Sequence, residues 1–97
     1  MHLTSSELKH VQEILSQHVA GYDVRAFGSR VHGKRLKPAS DLDLVIMTTT
    51  PLPLITLHKL KMALSEALLP FKVDVIDWSD TDPSFQAIIL NQSECIL

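Results

Sequence analysis

A chain of 97 residues, 45% hydrophobic and 21% charged, with three glycines and five prolines, has the composition of one modest globular core; that excludes a disordered or fibrous protein. A formal charge of −2 excludes a general nucleic-acid binder, so no direct nucleic-acid contact is expected, and the apolar runs are too short to cross a bilayer. The lone Cys95 cannot close an internal disulfide and nothing in the opening residues reads as a leader, so a cytoplasmic protein is expected.

Thr4 and Glu7 have capping-box spacing at the head of a helix over residues 4–20. Its apolar stripe runs through Leu8, Val11, Ile14, Leu15 and Val19, and Gly21 ends it. Residues 23–28 read as a short strand, with Val24 and Ala26 on one face. Ser29 to Gly33 suit a brief helical turn, and Lys34 to Ser40 a polar loop. Leu42 to Met47 is an almost continuous apolar run, read as a central strand covered on both faces. Pro53 opens a second long helix whose leucines 57, 60, 64 and 68 repeat at three- and four-residue steps until Pro70.

Lys72 to Ile76 is a third strand, in which Val73 and Val75 alternate against Asp74. Asp77 reads as the cap of a turn at Trp78. Asp82-Pro83 starts a last helix with Phe85, Ile88 and Ile89 as its apolar face, and Cys95 beyond it reads as a packing residue. The order α-β-turn-β-α-β-α predicts an α/β fold, with α+β as the alternative, in a single domain over 1–97. A three- to four-stranded mixed sheet flanked by helices is expected, because the helix between the second and third strands is long enough for a parallel crossover.

Charge is unevenly spread. Arg25, Arg30, Lys34, Arg35 and Lys37 crowd one segment, and Asp74, Asp77, Asp80 and Asp82 another. Between them, Asp41 and Asp43 are one residue apart at the head of the central strand. Alternate strand residues share a face, so the two carboxylates project together. Neighbouring carboxylates repel, which a cation would relieve, and an oxygen-only ligand set suits a hard ion such as Mg²⁺. Asp74, on another strand, can be a third member. Gly28-Ser29 stands where a strand gives way to a turn, a place where backbone N–H groups cradle phosphate oxygens. Carboxylates for a metal beside donors for phosphate describe a phosphoryl-transfer site. Plainer readings compete: Asp41 as a loop cap, Ser29 as a helix N-cap, Arg30 facing solvent, and the basic loop simply solvated.

The run "GSRVHG", then "SDLDLVI", then "KVDVI" resembles the nucleotidyltransferase superfamily related to DNA polymerase β, and within it the minimal nucleotidyltransferases, the MNT antitoxins of HEPN–MNT toxin–antitoxin modules. The resemblance implies a minimal nucleotidyltransferase fold. It implies that Gly28, Ser29 and Arg30 bind the nucleotide. Asp41, Asp43 and Asp74 would bind two Mg²⁺ ions, Asp74 also helping to deprotonate the acceptor. The implied reaction transfers AMP from ATP to a tyrosine hydroxyl of a HEPN-domain toxin, with which the chain would form a hetero-oligomer. His32 stands where the motif often has arginine. Two alternatives stay open: an antitoxin that neutralises by complex formation alone, and a nucleotidyltransferase acting on a small aminoglycoside-like acceptor.

Overall fold

The computed structural model describes residues 1–97. Its first helix, α1 (Ser5–His18), begins with the capping box its sequence announces. Thr4 Oγ1 accepts from the Glu7 amide at 3.1 Å, and the Glu7 carboxylate accepts from the Thr4 amide at 2.9 Å. The helix ends at His18, two residues short of the reading, because Val19 leaves helical geometry to plug the core.

Strand β1 (Asp23–Phe27) leads into a single helical turn, α2 (Ser29–His32), and then to β2 (Leu42–Met47). Helix α3 (Leu54–Glu66) crosses over to β3 (Val73–Asp77), which is followed by a 3₁₀ turn over Trp78–Asp80. The chain closes with α4 (Pro83–Asn91) and a two-residue strand, β4 (Glu94–Cys95). The strands form one sheet in the order β3-β2-β1-β4. β2 and β3 are parallel across the α3 crossover, and the other pairings are antiparallel. This four-stranded mixed sheet with four helices is the α/β architecture expected, with one addition. β4 escaped the reading because a two-residue strand carries no periodicity of its own.

Strand alternation decides the faces. Leu42, Leu44 and Ile46 of β2, with Val24 and Ala26 of β1, are fully buried beneath α1 and α3, where Val11, Leu15 and Leu60 meet them. Burying each large aliphatic side chain contributes about 1.5–3 kcal/mol. The opposite face of β2 is covered only in part: Val45 is buried there, whereas Asp43 and Met47 are half-buried. The expectation of a strand fully covered on both faces is therefore corrected, and the uncovered part holds the acids.

Three other expectations change. Helix α3 stops at Glu66 with Ala67 extended, well before Pro70, so Leu68 lies outside the stripe and is 95% exposed. In α4 only Ile89 is buried, while Ile88 is largely exposed and Phe85 partly so. Cys95 is exposed, not packed, because β4 lies at the sheet edge.

Candidate active site

Register brings the acids together. Asp43 on β2 pairs directly with Asp74 on β3, and Phe27 on β1 pairs with Asp43 from the other side. The three side chains form one row across the sheet, on the face away from the main core. Asp41 stands in the loop one residue before β2, half-buried. The Asp43 carboxyl is pushed up to about 6, first by burial, then by the charges of Asp74 and Asp41. A carboxylate held in this way lacks nearby positive charge.

That deficit is the main test of whether a metal suits the site. The donors are all carboxylate oxygens on one face, a set that fits a hard divalent cation in chemistry. The side chains do not converge, however: no three His, Cys, Asp or Glu groups are gathered closely enough to hold an ion.

Gly28 sets the other half of the site. It caps α2 with φ +81° and ψ −159°, a conformation open to glycine alone. A Cβ there would overlap Asp43 Oδ2, so the α2 turn and the central carboxylate are in direct contact through the missing side chain. Within α2, the Val31 and His32 amides donate to Gly28 O and the Gly33 amide to Ser29 O. The Ser29 and Arg30 amides are left without intrahelical partners, as first-turn amides are.

The Arg30 side chain is engaged elsewhere. It is buried, at 7% exposure. Its Nε donates to Ser40 O at 3.0 Å, Nη2 to Pro38 O at 2.8 Å and Nη1 to His2 O at 3.1 Å. The guanidinium also lies 4.4 Å over the Phe71 ring. A guanidinium so occupied fixes the loop before Asp41. His32 lies at the rim; its Nδ1 accepts from the Lys34 amide at 2.9 Å. Lys34, Arg35 and Lys37 are exposed.

One residue with a larger part than its reading is Asp77. It caps the 3₁₀ turn as expected, accepting from the Ser79 amide at 3.1 Å. It also accepts from the buried Thr48 hydroxyl, from the Leu52 amide at 2.7 Å and from Ser79 Oγ at 2.9 Å. Burial would raise its pKa, but those donors outweigh burial and hold it below the usual carboxylate value. The signal in sequence was slight: an acid ending a strand, with threonine ending the neighbouring one.

A parallel strand pair carrying acids in register, beside a glycine-led turn with free amides, is the framework of enzymes that transfer nucleotidyl groups. The family described as Polymerase beta, Nucleotidyltransferase matches residues 9–97, and the chain belongs to that family. It is 48% identical over 87 residues to the probable protein adenylyltransferase MntA of Haemophilus influenzae (strain ATCC 51907 / DSM 11121 / KW20 / Rd), spanning 90% of this chain and 75% of that one. Among solved structures, a toxin–antitoxin with AMP-PNP shares the fold at TM-score 0.75 and 20% identity, over 93% of this chain and 72% of that one. An MntA–HepT toxin–antitoxin structure does so at TM-score 0.71 and 17% identity, over 97% and 72%. No helix is long and apolar enough to cross a membrane.

Proposed function

We propose that this chain is the antitoxin of a HEPN–MNT type pair, a cytoplasmic, Mg²⁺-dependent protein adenylyltransferase that moves AMP from ATP to a tyrosine hydroxyl of its toxin. The observation that carries the reading is the row Phe27–Asp43–Asp74 with Gly28 seated against Asp43. Similarity to the MntA relative, named a probable protein adenylyltransferase, supports the acceptor class. The AMP-PNP in a structure of the same fold supports the nucleotide.

In this reading the Ser29 and Arg30 amides and the Ser29 hydroxyl hold the terminal phosphates, a task suited to unpaired donors at a helix start. Asp41, Asp43 and Asp74 would hold two Mg²⁺ ions, which would supply positive charge against that developing on the transferring group. Asp74, exposed on the outermost strand, is open to an arriving hydroxyl and takes its proton. The hydroxyl oxygen then bonds to the α-phosphorus of ATP, the bond to the diphosphate breaks, and AMP remains on the tyrosine.

A second reading is neutralisation by complex formation alone. Incubating the chain with ATP, Mg²⁺ and a purified HEPN partner, followed by intact-mass measurement, separates the two. AMP-sized additions that vanish in Asp41→Ala and Asp43→Ala support transfer. No added mass, with the toxin still neutralised by those variants, leaves the binding reading in place.

A further inference from the structure

Arg30 joins the two halves of the site. Its backbone belongs to the turn whose amides are assigned above to the phosphates, two residues from the Gly28 contact with Asp43. Its side chain crosses to the other half. Nε donates at 3.0 Å to the carbonyl of Ser40, the residue immediately before Asp41. Nη2 donates to Pro38 O at 2.8 Å and Nη1 to His2 O at 3.1 Å. The His2 amide donates back to Arg30 O at 2.6 Å, so the contact with the amino-terminal segment runs both ways. The Phe71 ring, 4.4 Å from the guanidinium, stands three residues before Asp74.

Stability alone does not explain this contact. Arg30 is buried, yet no carboxylate answers its charge: the chain's one salt bridge joins the Met1 ammonium to Glu94. Taking a cation out of water is costly, and a well-packed apolar side chain in its place is often neutral or stabilising. An apolar side chain could not, however, hold three carbonyls in the fixed pattern of a planar fork. The choice of partners is also informative. The guanidinium binds the carbonyl beside Asp41 and not the Asp41 carboxylate, which remains available to the site.

Arg30 lines none of the cavities that contain Asp41, Asp43 or Asp74. Phe71 and Asp41, by contrast, line one cavity of about 660 Å³ together with Asp74. The side chain therefore acts through its neighbours. We infer that Arg30 is a positioning residue of the transfer reaction, its guanidinium setting Asp41, and through Phe71 the start of β3, against the phosphate-holding turn. The inference rests on the nucleotidyl-transfer reading and adds to it the residue that keeps the two halves in register.

Amide exchange and transfer kinetics, the latter with ATP, Mg²⁺ and the purified HEPN partner, test it together. Arg30→Met removes the fork and keeps most of the bulk. Exchange in this variant, free of metal, is expected to quicken roughly tenfold or more over residues 37–42 and to stay unchanged in α1 and α3. The transfer kcat should fall about a hundredfold, with the KM for ATP within about threefold because both first-turn amides remain. Arg30→Lys keeps the charge but lacks the fork, and should recover stability without recovering kcat. Asp77→Ala loosens the far end of β3 and should leave kcat and the exchange of residues 37–42 as they were. Should Arg30→Met not fold, Arg30→Lys decides by the same two readouts. An unchanged kcat, exchange that quickens evenly along the chain, full recovery of kcat by Arg30→Lys, or the same kcat loss in Asp77→Ala overturns the inference. If the unmodified chain transfers no AMP, the nucleotidyl-transfer reading fails first, and the part given to Arg30 with it.

Discussion

Asp43 and Asp77 lie on neighbouring parallel strands, three rows apart in register, and the fold treats them in opposite ways. Asp43 meets carboxylates, from Asp74 and Asp41, and its pKa is pushed up to about 6. Asp77 faces the core side and meets donors, from Thr48, Leu52 and Ser79, and its pKa is lowered. Burial opposes charge at both places; the neighbours decide the outcome. A carboxylate supplied with donors holds a fold together. One surrounded by like charge strains the fold and is relieved only by something that arrives from outside.

The strongest test removes the strained member. Asp43→Asn is expected to cut transfer by roughly a thousandfold or more, read by intact mass. The same change should raise stability at pH 7 by about 1 kcal/mol after solvent screening is allowed for, seen as a melting point a few degrees higher. A lower melting point at pH 7 would falsify the contrast. Next in size, Asp77→Ala leaves the Leu52 amide and the Thr48 and Ser79 hydroxyls without their acceptor. It should cost about 3 kcal/mol in urea unfolding; a loss under about 1 kcal/mol would show that water replaces the carboxylate.

Gly28→Ala is expected to cost about 1–3 kcal/mol, through both its φ of +81° and the overlap with Asp43 Oδ2. Placed in an Asp43→Ala background, the cost should shrink, and a strictly additive pair would mean the contact is immaterial.

Titration sharpens the comparison with signs. Asp43 binds its proton more tightly in the folded chain than in the unfolded one. Its contribution therefore favours folding at low pH and is lost as pH rises from about 4 to about 6. Asp77 does the reverse: its contribution is present above the ordinary carboxylate value and disappears as pH falls through its lowered one. Stability of the Asp43→Asn and Asp77→Ala variants, measured across pH 3–7, should each lack one of these slopes. The smallest effect belongs to Cys95→Ser. At an exposed edge position it should shift stability by less than about 0.5 kcal/mol.

The sequence made legible what periodicity and spacing encode. The stripe of α1, the alternation that puts Asp43 opposite the core, and the crossover that makes β2 and β3 parallel all follow from local pattern. What stayed hidden depends on long-range geometry. Arg30 reads as a surface cation until three carbonyls from residues 2, 38 and 40 are brought around it. Leu68 fits the leucine repeat by number but falls beyond the helix end. A cavity between α2 and α4 draws its lining from segments up to sixty-five positions apart, Phe27 to Gln92, and no single window displays it.

The Arg30 clamp also bears on speed. Because the loop ahead of Asp41 is fastened to the α2 turn and to Phe71 by one guanidinium, its ordering is completed during folding. A nucleotide arriving at such a site has no loop to arrange, so its association should follow collision frequency and rise with concentration without a plateau.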